Sequence, residues 1–240
     1  MIIGFTTGRL ENESSFIGKM KFFVDLGCQA IEVSLLDYNR FALIKPHVEH
    51  KYFNSFAHRS VHAPVKFGAE PVTYRDDEAT RALLYNLEWL CEAVQASILV
   101  VHPDRVEDWN VFKKYKLPIC LENMDARKKT ARTAAGMKPF FQGNEYGMVF
   151  DVNHAFTNDP TMLSAKDFCE SFGHLIKEVH LSGFIELEET ANRHAPIFET
   201  QQEPILQAIK DLAVPIILEG VCKTPEQFKK EFAFVVEYYS

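Results

Sequence analysis

Eight short apolar runs, many of them β-branched, recur along the chain: Ile2–Phe5, Ala30–Leu35, Ser60–Ala63, Ser97–His102, Leu117–Glu122, Gly147–Asp151, Lys177–Leu181 and Val214–Glu219. Runs this continuous read as strands buried on both faces, the pattern of a parallel sheet covered by helices. The segments between them have helical periodicity. Ser14–Leu26 is apolar at Phe16, Ile17, Met20, Phe23 and Val24, and Asp76–Val94 carries Leu83, Leu84, Leu87, Leu90 and Cys91. Glu226–Tyr239 is amphipathic in the same way. Asp159-Pro160 and Thr224-Pro225 have the form of an N-cap with proline at the first helical position. Eight strand-helix units share 240 residues, about 30 residues each, the size of a unit in a compact barrel. No Gly/Ser linker or change of composition divides the chain, and no GxGxxG follows the first run, which disfavours a doubly wound open sheet. The expectation is an α/β fold, a single (β/α)8 barrel spanning residues 1–240.

Composition narrows the class further. With 47% hydrophobic and 25% charged residues, the chain is neither disordered nor fibrous. No apolar run approaches the roughly 20 residues of a membrane span, and the first residues lack a signal-peptide pattern. Cys28, Cys91, Cys120, Cys169 and Cys222 are far apart with no CxxC pair. They read as reduced, mostly buried thiols, so the expectation is a cytoplasmic protein without membrane association. A formal net charge of -7 argues against non-specific nucleic-acid binding.

The ends of the runs carry the chemistry. The third ends Ser60-Val-His62-Ala-Pro64 and the fourth Val101-His102-Pro103. The fifth gives Cys120-Leu-Glu122-Asn123 and the sixth Asp151-Val-Asn-His154. The seventh contains Glu178-Val-His180 and is followed by Asn192-Arg-His194, and the eighth ends in Glu219-Gly220. Six consecutive strands thus deliver a His, Asp or Glu at their C-terminal ends, the face where barrels of this kind build sites. Clustered imidazoles and carboxylates are ligands for divalent zinc, manganese or iron. His47, His50, His58 and His174 fall outside this series and are assigned to ordinary core or surface roles. Cys120 shares the inward face with Glu122 and reads as packing below the site, and Cys222 lies near the mouth.

The series resembles the xylose isomerase-like superfamily of TIM barrels, and within it endonuclease IV, over essentially the whole chain. The resemblance implies a first metal on His62, His102 and Glu122. It implies a second, bridged by Glu122 and completed by Asp151, His180 and Glu219, and a third on His154, Asn192 and His194. Asn192 stands where the nuclease motif has an aspartate, so the third site is expected to bind metal more weakly. The loop at residues 64–68 is read as lacking the aromatic residue that inserts into damaged DNA in that family, which disfavours DNA as the substrate.

Two activities follow from the resemblance. One is phosphoester hydrolysis assisted by up to three ions, with Zn2+ the leading candidate. The other is sugar or sugar-phosphate isomerisation or epimerisation on one Zn2+ or Mn2+, held by Glu122, Asp151, His180 and Glu219. In the second, Glu122 and Glu219 exchange the substrate proton. Glu32, late in the second run, favours the sugar enzymes. His62, His102 and His194 favour the hydrolase.

Arg127, Lys128, Lys129 and Arg132 crowd the segment after the fifth run, and Arg9, Arg40, Lys66, Arg105 and Arg193 fall in other loops of the same face. Cations around the mouth of an acidic protein suit a small anionic or sugar-like substrate, with Arg127, Lys128, Lys129 and Arg193 as its contacts. Phe67, Tyr146, Phe156 and Phe184 are read mainly as core, with a pocket wall as the alternative.

Overall fold

A computed structural model describes residues 1–8, 16–48, 51–185 and 194–240. Eight parallel strands form its centre: β1 (Ile3–Thr6), β2 (Ala30–Ser34), β3 (His58–His62), β4 (Ile98–Val101), β5 (Ile119–Glu122), β6 (Gly147–Asp151), β7 (Ile176–Leu181) and β8 (Ile216–Leu218). They close into a barrel in the order β1-β8-β7-β6-β5-β4-β3-β2. The fold is the expected (β/α)8 barrel. The third strand starts earlier than expected, at His58, because it pairs with β2 from Ala30 onward.

The helices that cover the barrel include α1 (Phe16–Leu26), α2 (Arg40–Ile44), α3 (Glu78–Val94), α4 (Ala134–Phe141), α5 (Val152–Asn158), α6 (Leu163–Phe172), α7 (Ile197–Thr200), α8 (Glu203–Ala208) and α9 (Pro225–Tyr238). Helix α3 shows why they form where they do. Asp77 caps it by accepting the Thr80 N–H, and Leu83, Leu84, Leu87, Leu90, Cys91 and Val94 make one buried face. Burying each such leucine contributes about 1.5–3 kcal/mol. Thr224 caps α9 as expected, accepting from Gln227 with Pro225 at the first position. Asp159 is not the residue next to α6: that helix starts three residues after Pro160, behind Met162 in a left-handed conformation. The Asp159 carboxylate accepts from Thr161 in the intervening turn and from the N–H of Ser164 in the first turn of α6.

Two cores result. The large one lies between strands and helices. The second consists of Ile98, Val100, Cys120 and Val149 alone. It fills one side of the barrel interior, because inward residues recur at every second strand position. Register carries that face round from Ile98 to Ser60 and Glu32, and from Val149 to Glu178. The opposite side of the interior is therefore polar: Glu32, Ser60, Glu178 and His180 are all completely buried. Burying ionisable groups costs several kcal/mol each unless they are paired. This half of the interior is built for chemistry at the expense of stability.

Among the described residues, no helix is long and apolar enough to cross a membrane. The five cysteines are free thiols. Cys120 lies in the small inner core, and its thiol is pushed up to about 12 by burial. Cys222 is fully buried, and burial likewise raises its pKa.

Candidate metal centre

The polar side of the interior opens at the C-terminal ends of the strands. Glu122, the last residue of β5, is 1% exposed and stands at the centre of the cluster. Its Oε2 lies 2.6 Å from His102 Nε2 and 3.4 Å from His62 Nε2. Its Oε1 lies 3.2 Å from His180 Nδ1. Asp151 and His180 are direct cross-strand partners on β6 and β7, so they share one face and one level. Glu219, immediately after β8, lies 3.7 Å from His180 Nδ1 and 3.4 Å from His194 Nδ1.

The donor atoms of His62, His102 and Glu122 lie within 4.8 Å of one another, as do those of Glu122, Asp151 and His180, and those of Asp151, His154 and His194. Two of these three sets share Glu122, and two share Asp151. Among the described residues, Glu122 Oε2 and Asp151 Oδ2 face only imidazoles, and His102 Nδ1 makes no hydrogen bond. Buried carboxylates and imidazoles that meet chiefly one another are costly without a further charge to bind, and the donor chemistry fits divalent cations with imidazole and carboxylate ligands.

Each imidazole but one is oriented by a partner on its other nitrogen. His62 Nδ1 donates to the Ala63 carbonyl at 2.8 Å, and His154 Nδ1 to the Asn123 carbonyl at 2.8 Å. Ser182 Oγ lies 2.9 Å from His194 Nδ1. His180 Nε2 lies 3.1 Å from Glu178 Oε1. Such partners fix which nitrogen faces a metal. His102 is the exception, with Asp104 4.0 Å from its Nδ1.

Backbone geometry places the late ligands. Asp151 caps α5 by accepting the His154 N–H at 2.8 Å, so the helix begins inside the site and holds His154 one turn from Asp151. Asn123 ties the two strands together, donating to the Asp151 carbonyl and accepting the Asp151 N–H, both at 2.8 Å. After β7, Gly183–Phe184 pairs antiparallel with His194–Ala195 and returns His194 to the mouth. Gly220 permits this closure, since a Cβ there would lie 2.7 Å from Pro196 Cα and 3.0 Å from the Ala195 carbonyl.

Charges in the cluster are strongly coupled. Burial opposes ionisation of Glu122, but the imidazoles of His102, His180 and His62 overcome it and hold the carboxyl well below the usual range. Asp151 is pushed up to about 7 by burial and by the charges of Glu122 and Glu219. His62 rises to about 9, since the hydrogen bond to Glu122 and the nearby carboxylates outweigh burial. His102 goes the other way, lowered by burial.

A cavity of about 220 Å³ lies over these residues, and its lining includes His62, His102, Glu122, His154, His194 and Glu219 together with Arg105, Asp125, Arg127 and Lys128. Of the expected substrate contacts, Arg127 and Lys128 line this cavity, and both are paired: Arg127 with Asp125 at 2.6 Å and Lys128 with Asp104 at 2.7 Å. Lys129 is exposed and does not line it. Asn192, Arg193 and Arg9 lie outside the described residues. Phe156 and Phe184 pack on each other, 5.8 Å between ring centres, and Tyr146 lies at the opposite end of the barrel. The reading of the 64–68 loop needs correction: Phe67 lies in it, 57% exposed, in a short hairpin of Lys66–Phe67 with Glu70–Pro71.

Sequence reasoning passed over three residues. His58, assigned to an ordinary core role, lies 2.5 Å from Glu178 inside the barrel. Glu178 itself was legible only as the inward position two before His180. Asn123 stood beside Glu122 with no signal that its amide locks β5 to β6.

No protein-family model matches the sequence, and no curated protein does. Solved structures match it over nearly its full length at low identity. Endonuclease IV from Thermus thermophilus superposes with a TM-score of 0.73 at 16% identity, covering 99% of this chain and 98% of that one. The IolI protein, solved with a zinc atom bound, has a TM-score of 0.72 at 16% identity, covering 100% and 98%. A 3-keto-D-glucoside 4-epimerase from E. coli has a TM-score of 0.64 at 12% identity, covering 99% of both chains.

Proposed function

We propose that this chain, whose fold is the xylose isomerase-like TIM barrel, is a metal-dependent enzyme that hydrolyses a small phosphoester. The observation that carries this reading is the division of Glu122. One carboxylate oxygen faces the imidazoles of His62 and His102, and the other faces His180. A carboxylate shared between two donor sets is the arrangement that bridges two cations. His62, His102 and Glu122 would hold one ion, and Glu122, Asp151, His180 and Glu219 a second. His154 and His194, with Asp151 nearby and Asn192, two residues before His194 in the sequence, would hold a third.

Divalent ions in these sets would polarise a phosphoryl group and offset the charge that develops on the leaving oxygen. The protein's own groups do the rest. Arg105, Arg127 and Lys128 line the same cavity as the ligands and would attract an anion. Arg105 Nε is buried, makes no hydrogen bond among the described residues and lies 3.7 Å from Asp104 Oδ2, so a phosphate oxygen would compete with that carboxylate for it. The burial of Glu122 and Asp151 lowers the local dielectric and strengthens every charge interaction in the site. A cavity of about 220 Å³ suits a substrate with one phosphate and a small organic group.

A one-metal sugar isomerase is the second reading, supported by Glu32, which is completely buried 3.2 Å from His180 Nε2. In it, Glu122 and Glu219 would hold and return the substrate proton. Metal content per chain, measured on protein purified without chelator, tests the two. Two or more ions support the hydrolase. A single ion that survives loss of His62 supports the isomerase.

A further inference from the structure

We propose that Glu178, itself anchored by His58, is the positioning residue that orients His180 and directs its Nδ1 to the metal centre. The inference rests on the metal-centre reading above. His180 comes from the middle of the barrel wall and is completely buried, so its ring needs a built support. A ligating imidazole must keep its proton on the nitrogen that does not bind, and that N–H needs a fixed acceptor. Glu178 supplies one. It lies two positions earlier on β7, on the same inward face, and its Oε1 accepts from His180 Nε2 at 3.1 Å.

Glu32 is the rival acceptor, since its Oε2 is 3.2 Å from the same nitrogen. Among the described residues neither of its oxygens makes a hydrogen bond, so that carboxylate lacks a second anchor. Glu178 is held at its other oxygen, Oε2, by His58 Nε2 at 2.5 Å. His58 is steadied in turn by Ser97, with Oγ 3.4 Å from Nδ1. A continuous column, Ser97–His58–Glu178–His180–Glu122, thus runs through the barrel. It starts at a cavity of about 620 Å³ on the N-terminal face, lined by His58 and Ser97, and ends at the shared carboxylate. The column makes the geometry of the mouth depend on residues at the far end of the barrel.

The test compares the wild-type chain with Glu178→Gln and Glu178→Leu. Zn2+ is titrated into metal-free protein, and the His180 tautomer is read from long-range proton–nitrogen NMR spectra. Wild type is expected to hold the proton on Nε2. Glu178→Leu is expected to mix the tautomers and weaken Zn2+ binding by roughly 10- to 100-fold. Glu178→Gln keeps an acceptor of the same shape, so it is expected to retain the tautomer and lose at most about tenfold in affinity. A His180 tautomer and Zn2+ affinity unchanged in Glu178→Leu overturn the proposal while leaving the metal centre standing. If that variant does not fold, His58→Phe decides instead: removing the anchor is expected to weaken Zn2+ binding, and wild-type affinity there overturns the role. A wild-type chain that binds no Zn2+ overturns the metal-centre reading and this inference with it.

Discussion

Glu122 of β5 and His180 of β7 meet at 3.2 Å between Oε1 and Nδ1 although β6 runs between their strands. In a flat sheet, strands two apart are about 9.6 Å from each other. Closure of the barrel turns their inward side chains towards a common axis and removes that separation. The shared carboxylate is therefore a product of curvature, and it is the feature on which the functional reading turns.

Glu122→Ala is expected to be the most damaging single change at the site. It removes a donor from two sets at once and leaves His62, His102 and His180 without their common partner. Metal content, measured by plasma mass spectrometry, is expected to fall by at least one ion per chain, and activity to below about 1% of wild type. Circular dichroism is expected to stay native, since the residue is at the functional face of the barrel. Native metal content in the variant would remove Glu122 from the centre.

His62→Ala separates the two readings. In a centre with two or three ions it costs one ion and most of the turnover. In a one-metal isomerase it reshapes the pocket and chiefly raises KM. The stoichiometry and the split between kcat and KM, measured together, distinguish these outcomes.

Arg105→Ala tests the anionic character of the substrate. The side chain lines the cavity, and its buried Nε, 3.7 Å from Asp104 Oδ2, makes no hydrogen bond among the described residues. Loss of a guanidinium that binds the ground state and the transition state alike is expected to raise KM about tenfold with kcat nearly unchanged. An unchanged KM for a phosphorylated substrate would place the anion elsewhere.

Stability carries a pH signature from Glu231. This fully buried residue of α9 accepts the Ile197 and Phe198 N–H groups, each at 2.9 Å, and so ties α9 to the start of α7. Burial pushes its pKa from 4.5 up to about 7. Because the folded value is the higher one, its contribution is complete below pH 4.5 and is lost as pH rises through about 7. At about 1.4 kcal/mol per unit, the loss is at most about 3.5 kcal/mol. Thermal melts of wild type and Glu231→Gln between pH 4 and 8 are expected to show the wild type losing ground to the variant as pH rises. Parallel curves would show that folding leaves the Glu231 pKa unchanged.

What could be read without coordinates was set by local chemistry. Runs of apolar residues at regular spacing require buried parallel strands, and a polar residue at a strand end projects into a barrel mouth. Thr224-Pro225 announces its own helix in the same way, and His62, His102, Glu122, Asp151, His180 and Glu219 all stand at or beside such ends. The start of α6 differs because Asp159 reaches the Ser164 N–H across a turn, which puts the first helical residue at Leu163 instead of Pro160.

The tertiary structure alone decided what depends on closure and register. Glu178 and Glu32 sit in ordinary strand sequence, and only the circular order of strands aims both at His180. His58 is one more histidine in the sequence, and becomes the anchor of a buried column once β3 and β7 face each other across the interior. A sequence records which side of its own strand each residue occupies, since that has a period of two. It carries no local mark of which strand lies opposite, because that follows from the curvature of the whole sheet.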